Sequence, residues 1–276
     1  MSDQLGRASE AEREVAEMST VQKGARRQIT GGGGAKIGGA PISYVAVFTA
    51  IVAALAFIPA SIVIGSAGGG WPLHDAIHPL VGLVLGPIAG PIASIVGIFI
   101  GNAIAPYTSL GPWSFVMGGM SAFAVAMVTQ RNKSAWLVPW VIVAALHVVY
   151  YFQATNFGIS PGMWLSNAFA VTLGLILIAI PAVRKFYTTH LRDQSLGWRL
   201  GVALYIPFFF GSVAGMQALW VPSFATNPWP AEVWPVLVPV ILLERTIFPL
   251  IGALIALGVI AGLRRSSIVK PEMASY

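Results

Sequence analysis

The sequence predicts an all-α polytopic membrane protein of about eight transmembrane helices, with both termini cytoplasmic. Three observations predict it. The chain is 56% hydrophobic and only 9% charged, with mean hydropathy +0.76, a balance that excludes a soluble globular domain. Apolar segments of roughly span length follow one another from residue 43 to residue 263, broken by Gly, Pro, Asn or charge. The basic residues fall in alternate loops, so the pI near 9.8 reads as topological charge rather than a nucleic-acid footprint. With no cysteine, disulfides, Cys-ligated zinc, iron–sulfur clusters and thiol chemistry are excluded.

Residues 1–40 read as a water-facing piece. Ala8 to Met18 carries Glu10, Glu12, Arg13, Glu14 and Glu17 and suits a short surface helix. Lys23, Arg26 and Arg27 follow, then the run Gly31 to Gly34. Such a stretch has too little apolar area to offset its ordering entropy, so it is expected to be a disordered cytoplasmic tail and Gly-rich linker. It lacks the apolar core of a signal peptide, so the first span is expected to direct insertion. Gly31 to Gly39 with Lys36 is no phosphate loop, because Gly-Lys-Ser/Thr is missing. Residues 41–265 form the transmembrane domain, and 266–276 a second cytoplasmic tail.

The first span is read as Ser43 to Ser66. Ala46, Ala50 and Ala54 lie one turn apart on one side of it. Lipid offers helices no hydrophobic reason to associate, whereas a stripe of small residues lets a second backbone approach closely. The stripe suits docking of a partner helix, and equally packing against the protein's own helices.

Seven further apolar segments cover roughly 73–89, 90–106, 113–130, 135–156, 162–183, 198–220 and 235–263. The stretch from His74 to Pro106 is read as two spans, because Gly86-Pro87 and Gly90-Pro91 sit at its centre and proline disfavours helical geometry before it. Charge supports the split. It puts Arg131, Lys133, Arg184, Lys185, Arg192, Arg199, Arg264, Arg265 and Lys270 inside, leaving Asp75 and Glu232 as the charges of the external loops. A single long span would invert everything downstream. Two spans of about seventeen residues cross only about 25 Å, so they are expected to be tightly packed rather than lipid-exposed. Gly82, Gly86, Gly90, Gly97 and Gly101 supply the close seams.

The run from Pro79 through Gly82, Gly86-Pro87, Gly90-Pro91 to Gly97 resembles the second and third helices of substrate-binding (S) components of energy-coupling factor (ECF) transporters. These are vitamin and metal uptake systems powered by paired ATPases. Members typically read apolar-Gly-x-x-x-Gly-Pro-x-x-Gly here, and their first helix commonly carries small residues at four-residue spacing, here Ala46, Ala50 and Ala54. Glu244 to Leu254 resembles the last helix of some members. The similarity covers about residues 43–130 and, more loosely, 235–265. S components usually have six helices, so the extra pair is expected within residues 135–220. The resemblance implies a multi-pass protein of a prokaryotic plasma membrane that captures a small molecule, a vitamin or related micronutrient, from outside. It docks through the alanine face on a membrane coupling subunit, and two cytoplasmic ATPases drive release inside. No Walker motif occurs in this chain, so the energy would come from partners. No cofactor is implied.

Candidate ligand-binding residues lie near the predicted outer face. After the first span stand Trp71, His74, Asp75 and His78; the next loop has Asn102, Tyr107 and Trp113. Later come Tyr150, Tyr151, Gln153, Asn156, Trp164 and Asn167, then Gln217, Trp220, Asn227, Trp229, Glu232 and Trp234. A pocket for a flat heterocycle would stack on aromatic faces and orient its ligand with a few polar groups. The same Trp and Tyr residues equally suit an interfacial belt. His74, Asp75 and His78 have spacing compatible with a metal, although three clustered ligands are few, and Asp75 suits an N-cap of the second span. Glu244 and Arg245 are the only charged pair inside a predicted span. Glu244 lies about 14 Å from its external end, where ionisable groups usually face a cavity or a partner. Adjacent residues point about 100° apart on a helix, so the two are not expected simply to neutralise each other. One is expected to reach the ligand while the other pairs across helices, or both form a structural tie with His147 or Gln217. His147 and Gln130 are weaker candidates, and His190 is expected to be solvated beside Arg192 and Asp193.

No nucleophile-and-base pair, catalytic carboxylate pair or metal-hydrolase signature appears in the spans, so an enzyme is the weakest class. The alternatives are a non-transporting scaffold subunit of a larger complex, which the N-terminal tail would suit as a tether, or a secondary carrier. Against a carrier stand the absence of an internal repeat and the scarcity of embedded titratable groups.

Overall fold

The fold was taken from a computed structural model that describes residues 34–62, 70–193, 197–266 and 268–276. The charged tail and the Gly31 to Gly33 part of the linker lie outside those residues. Residues 36–41, all but Pro41 grouped with the linker on sequence grounds, form a small hairpin in which β1 (Lys36–Ile37) pairs antiparallel with β2 (Ala40–Pro41). Gly38 and Gly39 make its turn at positive φ, 53° and 82°, where a side chain would be strained.

Helix α1 (Ile42–Leu55) is 14 residues long and so spans about 21 Å. The expected run to Ser66 is corrected here. The helix ends at Leu55, and β3 (Pro59–Ile62) pairs with β4 (Gly70–Pro72) instead. Pro59 explains the stop, since it disfavours helix at Ile58 and has no N–H to continue one. Leu73 N–H donates to Ile58 O at 2.9 Å and closes the hairpin. A short 3₁₀ turn, Leu73–Ala76, follows.

The reversal expected at Gly86-Pro87 is present. Helix α2 (His78–Ile104) is interrupted at Gly86, whose φ of 87° and ψ of −175° are not helical. A Cβ on Gly90 would lie 2.8 Å from Gly82 Cα, so the chain doubles back there and the two arms touch through glycine. The first arm, 78–85, is wholly buried. The second is not: Ile88, Ile92, Val96, Phe99, Ile100 and Ile104 are exposed along one face. The expectation that both arms avoid lipid therefore fails for the second, whose other face alone packs inward. A Cβ at Gly97 would meet Val52 at 2.6 Å and one at Gly101 would meet Ala56 at 2.7 Å, so this inner face is α1's seat.

The second segment is also less helical than its apolar sequence suggested. Ala76 O comes so close to Gly252 that no side chain fits there. Gly252 lies about 18 Å along its helix from Arg264, so the non-helical stretch 70–77 descends to mid-bundle depth before the helix begins. Irregular backbone at that depth is tolerated where protein surrounds it, and Trp71, His74, Asp75, Ala76 and Ile77 are all buried.

The remaining helices are α3 (Ser114–Val128), α4 (Leu137–Asn156), α5 (Pro161–Ala179), α6 (Pro181–His190), α7 (Trp198–Thr226) and α8 (Trp234–Arg265). Five described helices are long and apolar enough to cross a membrane, namely α2, α4, α5, α7 and α8; α1 and α3 are apolar but shorter. Helix α7 is the most enclosed, buried without a break from Pro207 to Trp220. Gly211 and Gly215 set it against Ser121 and Met117 of α3 at backbone contact. Pro181 separates α6 from α5, and Arg184 ties the joint by donating to Ile178 O and Ala179 O, the last carbonyls of α5.

One end of the bundle carries the basic loops. There Tyr44 Oη donates to Val269 O, Glu272 N–H to Gly39 O, and Ser275 N–H to Leu83 O. Met273 sits on Gly86. The tail after α8 is thus folded onto the α2 reversal. At the other end, Thr108 donates to Ala56 O at 2.6 Å and Tyr107 to Phe57 O at 3.0 Å.

Candidate functional site

Two polar groups lie side by side in the half of the bundle away from the basic loops. The first is built on the descending stretch before α2 and on α8. Arg245 Nη1 donates to Asp75 Oδ2 at 3.0 Å and to Ser212 Oγ of α7 at 3.1 Å. Trp71 Nε1 donates to the same Asp75 oxygen at 2.8 Å, and its ring lies 4.8 Å from the guanidinium carbon. Glu244 accepts a hydrogen bond from Ser61 of β3, which fastens the β3–β4 hairpin to α8. His74 Nδ1 and His78 Nε2 are 3.0 Å apart and share one hydrogen bond.

Several expectations are corrected here. Glu244 and Arg245 do approach, with Oε2 and Nη2 3.5 Å apart, because both long side chains bend toward the hairpin. Their principal partners are Ser61 and Asp75, not His147 or Gln217. Asp75 caps no helix: Ile77 holds the N-cap position of α2 without a side-chain bond, and the Asp75 carboxylate is taken by Arg245 and Trp71.

The second group sits between α4, α5 and α7. His147 bonds Gln217 Oε1 through Nδ1 at 3.4 Å and Thr172 Oγ1 through Nε2 at 3.1 Å, and its ring lies on Trp164. Tyr150 donates to Asn167 Oδ1 at 3.4 Å, and Gln153 donates to Val221 O at 3.1 Å. Gln217 also donates to Leu146 O. Above them Tyr150 stacks on Trp234 at 5.9 Å and meets Trp220 and Phe224, while Trp229 edges onto Trp220 and Trp234. Tyr150, Trp220 and Trp234 are buried, so they are packing or pocket aromatics and not an interfacial belt. Helix α7 joins the groups, as Ser212 and Gln217 stand about 7.5 Å apart along its axis.

Buried polar atoms without a protein partner concentrate here among the described residues. They include Asp75 Oδ1 and Arg245 Nε in the first group, and Gln153 Oε1, Asn167 Nδ2, Trp164 Nε1 and Trp234 Nε1 in the second. An orphaned buried polar group costs roughly 1–3 kcal/mol, so this half of the bundle retains donors and acceptors fit for an aromatic, polar-edged molecule. A cavity of about 620 Å³ opens at the opposite, basic face.

Of the candidates drawn from sequence, Trp71, His74, Asp75, Glu244 and Arg245 are brought together, as are Gln153, Asn167 and Gln217. Asn102 is set apart, donating to Ser114 Oγ at 2.8 Å. Tyr107 is half exposed and serves the end of α1, and Trp113 is partly buried with its Nε1 unbonded among the described residues. Ser61 and Ser212 escaped the sequence reading. A lone serine between Gly211 and Gly215 was the one signal for the latter. Ala46, Ala50 and Ala54 are exposed, whereas Val45, Val52, Ala53 and Ala56 face the bundle.

Neither a search of curated proteins nor one of solved structures finds a match to this chain. The sequence profile described as ECF-type riboflavin transporter, S component, matches residues 40–183, just over half of the chain. The matched segment reaches from β2 into α6 and holds Trp71, Asp75, Gln153 and Asn167, while Ser212, Gln217, Glu244 and Arg245 lie beyond it. The chain belongs to the family of ECF-type riboflavin transporter S components.

Proposed function

We propose that this protein captures riboflavin, or a flat heterocycle with the same polar edges, at the face away from the basic loops, and that partners bearing ATPases drive its release inside. Family membership supplies the class: a membrane-embedded substrate-binding subunit in vitamin uptake, a transporter subunit rather than an enzyme. The observation that carries the finer reading is the pairing of buried, partnerless polar atoms with stacked aromatics beneath the β3–β4 hairpin. A tricyclic ring system suits the Tyr150, Trp220 and Trp234 faces, and a hydroxylated chain suits Asn167, Gln153 and the Arg245–Asp75 pair. Trp71, His74, Glu244 and Gln217 complete the wall. Asn102, Tyr107 and Trp113 belong to the rim of the same face.

Entry from that face passes the β3–β4 hairpin, and the Ser61–Glu244 bond is the contact to be broken. The positive-inside rule supports eight crossings with both termini cytoplasmic, which puts the hairpin outside, as in a prokaryotic plasma membrane. The exposed Ala46, Ala50 and Ala54 stripe suits the coupling subunit, since α1 packs on its own bundle through a different face.

Titrating the detergent-purified protein with riboflavin tests the reading. Stacking on tryptophan should quench the flavin's fluorescence saturably, and Trp71→Ala or Glu244→Gln should weaken binding. No saturable quenching, together with a different retained small molecule in native mass spectrometry, would replace the cargo. An empty protein bound stoichiometrically to a complex lacking ATPases would sink the importer and leave a scaffold.

A further inference from the structure

We propose that the basic face holds a second binding site, specific for a phosphate-bearing anion, in the cavity between the α3–α4 turn, the end of α6 and the tail after α8. The cavity measures about 620 Å³, and its side-chain walls are Gln130, Arg131, Asn132, Arg192 and Lys270. Residues 271–276 close one side. Arg245 and Arg264 are about 28 Å apart along α8, so this cavity and the polar groups around Arg245 occupy opposite ends of the bundle.

Three cations face one space. Arg192 is held in place by donating to Thr129 O at 3.3 Å. Lys270 donates to the main-chain oxygen of Tyr276 and lies 4.5 Å from its ring. The Arg192 contact, to a neutral carbonyl, supplies no countercharge. The carboxylate lining the cavity, Glu272, is engaged by Lys36 at 2.8 Å. Asp193 lies near Arg264.

The crowding has a measurable sign. Burial and then the charges of Arg131, Arg264 and Arg192 hold the Lys270 ammonium below its ordinary range, and burial followed by Arg131 does the same to Arg192. Like charges gathered in a partly desolvated pocket favour an anion with several acceptor oxygens. The neutral walls agree: Asn132 Oδ1 accepts from Ser134 N–H and Oγ, which leaves its NH₂ as a donor. Guanidinium forks, an ammonium and an amide donor match a phosphate monoester or diester better than a lone carboxylate, which offers two oxygens. That chemistry is shared by an anionic phospholipid headgroup and by a soluble phosphate.

Native mass spectrometry of the full chain in detergent tests the site, with phosphatidylglycerol or phosphatidylcholine added and inorganic phosphate as competitor. Phosphatidylglycerol should be retained in preference to phosphatidylcholine. Arg131→Gln combined with Arg192→Gln should weaken that retention roughly thirtyfold, the effect of removing two surface cations. Lys185→Gln, on the exposed side of α6 and outside the cavity, should leave it unchanged. Displacement by inorganic phosphate would identify a soluble anion as occupant; retention in its presence would identify the lipid headgroup. Should the double variant fail to fold, Lys270→Gln alone should still cost roughly fivefold. Equal retention of the two lipids with no phosphate binding overturns the proposal. So does an equal loss in Lys185→Gln, which would reduce the effect to diffuse surface charge.

Discussion

Arg245 Nη1 meets Asp75 Oδ2 at 3.0 Å, and both side chains are wholly shielded from solvent. The contact joins α8 to the non-helical stretch before α2, two regions separated by 170 positions in sequence. Two charges removed from water repay their desolvation only through such geometry and added hydrogen bonds, here from Trp71 and Ser212.

Removing one member should therefore hurt more than removing both. Asp75→Asn or Arg245→Met should each lower stability by about 3–5 kcal/mol, because the remaining charge is stranded. The double variant should recover much of that loss. Chemical or thermal unfolding in detergent, run as a double-mutant cycle, reads the difference.

Glu244 fastens the hairpin from α8 through Ser61. Ser61→Ala should leave the melting temperature nearly unchanged, within about 1 kcal/mol. It should raise amide exchange across residues 60–62 and 70–71. Unchanged exchange would show that the bond does not hold the hairpin.

Glycine seams make a sharply graded prediction. A Cβ on Gly82 would sit 1.9 Å from Ala122 O, so Gly82→Ala forces α2 and α3 apart and should prevent stable folding. Gly262 has nothing within 4 Å of its would-be Cβ. Gly262→Ala should be neutral or stabilising by up to about 1 kcal/mol, the helix-propensity gain. Expression yield and thermal stability of the two variants check the contrast.

The alanine stripe should separate binding from transport. Ala50 is exposed on α1, so Ala50→Trp should fold and bind ligand as the natural protein does. It should abolish uptake in cells that carry the partner subunits. Equal loss of purified ligand binding would mean that the stripe serves the protein's own packing.

Much of this architecture was legible in sequence, and the exceptions have physical reasons. The reversal at Gly86 was readable because proline, glycine and the distribution of arginines agree. The early end of α1 was not, since Val52 to Ile64 is apolar apart from Ser61, only Pro59 objects to a helix, and proline is tolerated inside membrane helices, as Pro207 and Pro249 illustrate. Glu244 and Arg245 stood out as charges inside a span, yet their partners could not be read. Asp75 looks like an N-cap locally, and Ser61 falls in what appears to be helix. Pairings across 170 or 183 positions are set by tertiary packing that no local pattern encodes.

The descent of residues 70–77 to mid-bundle depth also bears on how the chain is made. A segment with no α-helix until His78, only a strand and one 3₁₀ turn, cannot partition into lipid as an autonomous helix, because several of its backbone amides and the Asp75 carboxylate find no partner there. Arg245 is synthesised 170 residues later. On the proposed topology, the crossing that begins with residues 70–77 settles only once α8 has been delivered. Truncations that stop short of α8 should leave that crossing stranded in the translocon or at the bilayer edge, a target for quality control, even though every earlier helix has already emerged.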